Sequence, residues 1–154
     1  MADAAAGAGT FELGAWDETG GARLDARGDD AEQALLAGLT GVIAAARGGG
    51  APVAAPEGEA SSAAAIRGQG ADLGAVFADL VADLLAQLDA NGTGLDRVRL
   101  DGLLATDDGG FTAWGYALGE VVASPPPVGL ALDGDPTMAQ GPGGVVLRCA
   151  LRRR

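Results

Sequence analysis

Large apolar side chains are scarce in this 154-residue chain: Leu, Ile, Val and Phe together number 34, and alanine alone also numbers 34. At about 22% of the sequence, the large residues stand near the level below which chains stay disordered. A core is expected, but one thin in large side chains. Glycine, with 27 residues, favours turns and loops over a densely helical bundle. The length fits one domain of ordinary size. No apolar run approaches the ~20 residues that a bilayer span needs, and the N-terminus lacks the positive charge that opens a secretory signal. A cytoplasmic protein without a membrane partner is the expectation.

Charge narrows the chemistry further. The formal net charge is -11, which argues against a nucleic-acid partner gripped through its phosphates, because that mode needs a basic face to release counterions. All ten basic residues are Arg, and Lys and His are absent. The commonest metal ligand and the commonest general base are thereby removed. Cys149 is the single cysteine, so it has no disulfide partner in the chain and no imidazole to make it a thiolate nucleophile. It reads as a packed strand thiol.

Residues 1–10 carry no periodicity and read as a disordered tail, leaving a single domain over 11–154. Ala22, Leu24 and Ala26 alternate with Arg23, Asp25 and Arg27, the pattern of a half-buried strand after the Gly20-Gly21 break. Asp29 and Asp30 offer acceptors for free helix N–H groups, Gln33 follows, and Leu35, Leu39, Val42 and Ile43 recur at helical spacing up to Arg47. The stretch over about 48–62 has two prolines, four glycines and no period, so it reads as a flexible connection to a short strand near Ala63 to Arg67. A second helix is capped by Asp72 and carries the stripe Leu73, Val76, Phe77, Leu80, Leu84 and Leu88, widened by Val81 and Leu85. Asp79 and Asp83 fall outside that stripe, where a solvated face able to meet a basic partner is expected. A hairpin follows, with Val98 and Leu100 on one strand, Asp107-Asp108-Gly109-Gly110 at the turn and Phe111 to Ala117 returning. A weak strand over Val128 to Leu132 and a final strand over Val145 to Leu151 complete the chain.

Two local motifs fail on inspection. The run from Asp89 imitates a calcium loop through Asn91, Thr93 and Gly94, but its twelfth position is Leu100 where a bidentate Glu should close the shell. Gly134-Asp135-Pro136 and Gly141-Pro142-Gly143-Gly144 precede no helix and lack a P-loop Lys, so turns account for them. The Arg152-Arg153-Arg154 run reads as a solvated end, with docking to an acidic partner as the alternative.

Three stretches carry a family resemblance: GARLDARGDDAEQALLAGLTGVIAA, the helix from Asp72 to Gly92 with Asp89 in step, and FTAWGYALGE. Together with the order of elements they resemble archease, the accessory protein of an RNA ligase that joins tRNA halves, over most of Leu13 to Arg152. The resemblance implies an α+β fold, a single archease-like domain with two main helices packed against mixed or antiparallel β-sheet. It also implies a metal site built from a His-Thr-Ala-Asp stretch and an Asp near the C-terminus. Here those positions fall on Glu18, Thr19, Gly20 and Gly21, and on Arg152, so only the Thr matches. A further Lys and His motif has no counterpart among Val128 to Asp133. Replacing an oxygen ligand by Gly and placing a guanidinium nearby disfavours a hard cation, so neither metal nor any other cofactor is expected. Arg152 is expected to occupy the cation position and to pair with Glu18 or Asp17.

The function implied is an archease-like accessory or binding protein without the usual metal-dependent activity, modulating an RNA ligase in tRNA splicing or RNA repair. Two alternatives stay open. One is a structural or interaction module unrelated to any ligase. The other is an enzyme using paired carboxylates such as Asp17 and Glu18 or Asp107 and Asp108, although adjacent strand residues point to opposite faces and a turn pair stays solvated.

Overall fold

The computed structural model describes residues 9–47, 62–92 and 94–153. Most of the expected tail and connection, 1–8 and 48–61, lies outside the described residues. Thr10, assigned to the tail, instead pairs with Arg27, and Ser62 opens a strand. The elements run β1 (Thr10–Leu13), β2 (Gly21–Gly28), α1 (Ala31–Ala46), β3 (Ser62–Gly70), α2 (Leu73–Asn91), β4 (Leu95–Ala105), β5 (Phe111–Gly119), β6 (Leu130–Leu132), β7 (Thr137–Gly141) and β8 (Gly144–Arg153). The fold is α+β, with two helices and two sheets whose described strand pairs are all antiparallel.

One sheet has the order β1-β2-β8-β6, and β7 shares with β6 the second edge of β8. The register makes this possible, because β7 takes Gly144 to Arg148 of β8 while β6 takes Leu151 to Arg153. The other sheet has the order β3-β5-β4. β7 was not anticipated. Its side chains are mostly exposed, so it shows no apolar alternation and is held by backbone pairing to β8.

Both helices begin as their sequences dictate. The Asp30 carboxylate accepts from Gln33 N at 2.8 Å, and the Gln33 side chain returns to Asp29 N–H at 2.8 Å. Asp72 caps α2 by accepting from Ala75 N at 2.8 Å. Each helix touches both sheets. Ten of the sixteen residues of α1 are buried, among them Ala34, Leu35, Leu39, Val42 and Ile43, so the helix has little solvated surface. Such burial with few large side chains needs close approach. At Gly38 an added Cβ would stand 2.7 Å from Phe77 Cε1 and 3.3 Å from Leu147 Cδ2, so α1 meets α2 and β8 there with backbone. Phe77, Leu80, Leu84 and Leu88 of α2 join Leu24, Leu147 and Leu151 of the larger sheet and Ile66 of the smaller in one core.

Gly38→Val should therefore cost about 1–3 kcal/mol through overpacking against Phe77, read as a lowered urea midpoint with the slope of the transition unchanged.

Candidate functional site

The turn into β2 is organised by one carboxylate. Asp17 Oδ1 accepts from Thr19 N (2.8 Å), Thr19 Oγ1 (2.7 Å) and Gly21 N (2.9 Å). These donors hold the Asp17 carboxyl below its usual range, the Thr19 hydroxyl foremost and the Arg152 charge adding a smaller effect. Gly20 bends the chain with φ of 84°, and its carbonyl accepts from Arg153 N at 2.8 Å. Gly21 and Arg152 are direct cross-strand partners between β2 and β8. The two positions that the sequence placed in one site therefore do meet. Asp17, Thr19, Gly21 and Arg152 form a cluster, while Glu18 is exposed and makes no hydrogen bond or ion pair among the described residues.

The partner expected for Arg152 is corrected. Its Nη2 meets Asp133 Oδ2 at 2.9 Å and its Nη1 donates to the Thr19 carbonyl at 3.3 Å; neither Glu18 nor Asp17 pairs with it. The reason is topological. β6 runs beside the end of β8 with Ala131 opposite Arg152, and Asp133 N–H bonds the Ala150 carbonyl, which carries the Asp133 carboxylate to the guanidinium. Asp17, meanwhile, is committed to its own turn. Both partners of the ion pair are about half exposed (45% and 46%), so it contributes about 0–1 kcal/mol. The neighbouring Arg153 is not a free solvated end either, since its guanidinium lies 4.2 Å from the centroid of the Trp16 ring.

No protein-family model matches the chain, and no curated protein matches its sequence. Among solved structures it is similar to the solution structure of protein 1598 from Methanobacterium thermoautotrophicum, with a TM-score of 0.60 and 17% identity, over 94% of this chain and 98% of that one. The fold is archease-like. At this identity the likeness is one of fold, and it leaves the residues at each position of the archease-like fold to be judged on their own chemistry. A divalent cation does not fit the cluster. Gly21 supplies no side-chain oxygen ligand, Asp17 Oδ1 already accepts three hydrogen bonds, and a guanidinium stands beside them. Among the described residues no group of three or more His, Cys, Asp or Glu could hold a metal ion.

Asp79 is exposed and Asp83 half-buried, and both carboxylates also serve the neighbouring strand. Asp83 Oδ2 accepts from Arg67 N at 2.8 Å and Asp79 Oδ2 from Gln69 N at 3.0 Å, while Gln87 Nε2 reaches the Ala65 carbonyl at 3.4 Å. The three side chains lie four residues apart along α2 and serve every second residue of β3. They cover the free edge of a strand, which is why the face is acidic. Asp89 of the calcium-like run accepts from Val128 N at 2.8 Å, and Asn91 turns back to Gln87; Thr93 lies outside the described residues. A groove of about 610 Å³ beside the start of α2 is lined by Asp72, Asp79 and Asp135, the first two of which are engaged with backbone N–H groups.

Of the paired-carboxylate candidates, Asp108 accepts from the Thr106 hydroxyl and from Gly110 N, the hydroxyl being the main reason its carboxyl lies below the usual range. A general acid needs the opposite shift. Cys149 is buried, and burial together with the Asp25 charge pushes its thiol up to about 12. It carries no thiolate at neutral pH.

Two outcomes follow from these contacts. Because folding lowers the Asp17 pKa, its stabilising effect is present above the ordinary aspartate value of 3.8 and fades as pH falls through the lower folded value. Asp17→Asn should lower Tm at neutral pH, and the gap from the parent should close as scans move below that value. Replacing Asp79 and Asp83 together by Ala should cost about 1–2 kcal/mol and promote self-association through the bared β3 edge, visible in urea titrations and sedimentation velocity.

Proposed function

We propose that this chain is an archease-like accessory protein that acts by binding rather than by catalysis, and that its partner is an RNA ligase of tRNA splicing or RNA repair. The observation that carries this reading is the extent of the fold likeness, which takes in nearly the whole of both chains rather than one motif. The chemistry of the cluster at the β2–β8 end supports the second half of it. Where the resemblance implies a cation ligand, Arg152 supplies a permanent positive charge tethered to Asp133 and the Thr19 carbonyl. A charge held by the chain itself makes the junction of β2, β6 and β8 independent of divalent ions. The lowered carboxyls of Asp17 and Asp108 further favour a binding role, since neither is tuned as a proton donor at neutral pH.

The test is direct binding, by surface plasmon resonance, between this protein and the RNA ligase of its source organism, with multiple-turnover ligation of tRNA halves as the second readout. Saturable binding and a raised turnover are expected. Absence of both would discard the ligase and leave an interaction module with another partner.

A further inference from the structure

The three-stranded sheet has one face in the core and one in solvent, and the outward face has an unusual composition. Along β5, Ala113, Gly115 and Ala117 point inward while Thr112, Trp114, Tyr116 and Leu118 point outward. The register places Ala65, Arg67 and Gln69 of β3 and Arg97, Arg99, Gly102 and Leu104 of β4 beside them on the same side. None of these paired outward positions is acidic, in a chain with 21 acidic residues against 10 basic ones. Asp96 and Asp101 sit at the irregularities of β4, each bonded to the Arg next to it or two residues away.

The aromatic rings are set out as a platform. A Cβ at Gly102 would stand 2.3 Å from Trp114 Cζ2 and 2.6 and 2.8 Å from its two ring neighbours, the spacing of a point above the ring rather than at its rim. The indole thus lies face-down on the glycine of β4, with its other face turned away from the sheet. Arg99 lies 5.2 Å over the centroid of Tyr116 and is aimed by Asp101 through bonds of 2.8 and 3.3 Å. Arg67, exposed and without a side-chain ion pair among the described residues, flanks Trp114 from the opposite edge. Two neighbouring rows result, Arg67–Trp114–Gly102 and Ala65–Tyr116–Arg99, with a ring at each centre and a guanidinium on alternate sides.

We propose that this face binds single-stranded nucleic acid, bases stacking on Trp114 and on the guanidinium of Arg99 that covers Tyr116, while Arg67 meets a flanking phosphate. Planar π faces with guanidiniums beside them match the unstacked bases and backbone of a single strand, and a duplex offers no such bases. The net charge of -11 opposes a polyanion gripped mainly through its phosphates. Asp101 pairs with Arg99, Asp96 with Arg97, and Asp79 and Asp83 stand at the β3 edge, so stacking rather than charge must supply most of the affinity. The interaction should accordingly be moderate in affinity and shallow in salt dependence, with a log–log slope of about -0.7 for one phosphate contact on a single strand. This inference stands apart from the ligase reading and holds or falls without it.

Fluorescence anisotropy of a fluorescein-labelled oligouridylate, titrated with the full chain, tests it. Saturable binding is expected, weakened roughly tenfold by Trp114→Ala through loss of one stacked base. Arg67→Glu, at an exposed position whose change leaves the core untouched, should weaken it to a similar degree, and circular dichroism confirms that each variant is folded. No saturable signal with the parent protein overturns the proposal, as does binding that both folded variants retain. Equal capture of a labelled polyglutamate peptide would also overturn it, marking the face as a dock for acidic protein segments.

Discussion

Close contact between α1 and its surroundings is the constraint on which the remaining structure depends. The helix touches both sheets, and the residues that face them are mostly Ala and Gly with a few Leu, Val and Ile. A helix of this composition contributes little apolar area of its own. It works because its neighbours bring the bulk: Phe77 from α2, Leu24 from β2 and Leu147 from β8 reach toward its thin backbone. Small and large side chains alternate across the contact, which is how a chain with few large residues reaches native packing density.

The same economy governs the edge of the smaller sheet. Four residues of helix rise about 6 Å and two residues of strand about 6.6–6.8 Å, so side chains at every fourth position of α2 stay in step with every second residue of β3. Asp79, Asp83 and Gln87 use that near-match for three steps, meeting Gln69, Arg67 and Ala65 in turn. A helix thereby serves as a substitute strand, supplying acceptors and a donor to backbone groups that would otherwise face water.

Much of this was legible in the residues. The caps Asp30 and Asp72, the leucine stripe of α2 and the alternation of β2 and of Val98 and Leu100 in β4 follow from local periodicity, and local periodicity is what a sequence displays openly. The meeting of Gly21 with Arg152 was also within reach, through the family resemblance. What the residues do not display depends on register between distant segments. Asp133 reaches Arg152 only because β6 pairs with the last residues of β8, and β7 exists only because the same strand has edge left over. Asp79 and Asp83 show a different limit, since two carboxylates four residues apart look the same in sequence whether they face water or the backbone of a neighbouring strand.

The occupied edge of β3 gives the smaller sheet a direction. With the N–H groups of Arg67 and Gln69 taken by α2, that side is a poor template for another chain, and extension is favoured at β4, whose run is broken by two irregularities. A sheet with a single usable border can join one further strand and then stop, so contacts made through it end in discrete pairs instead of open-ended fibres.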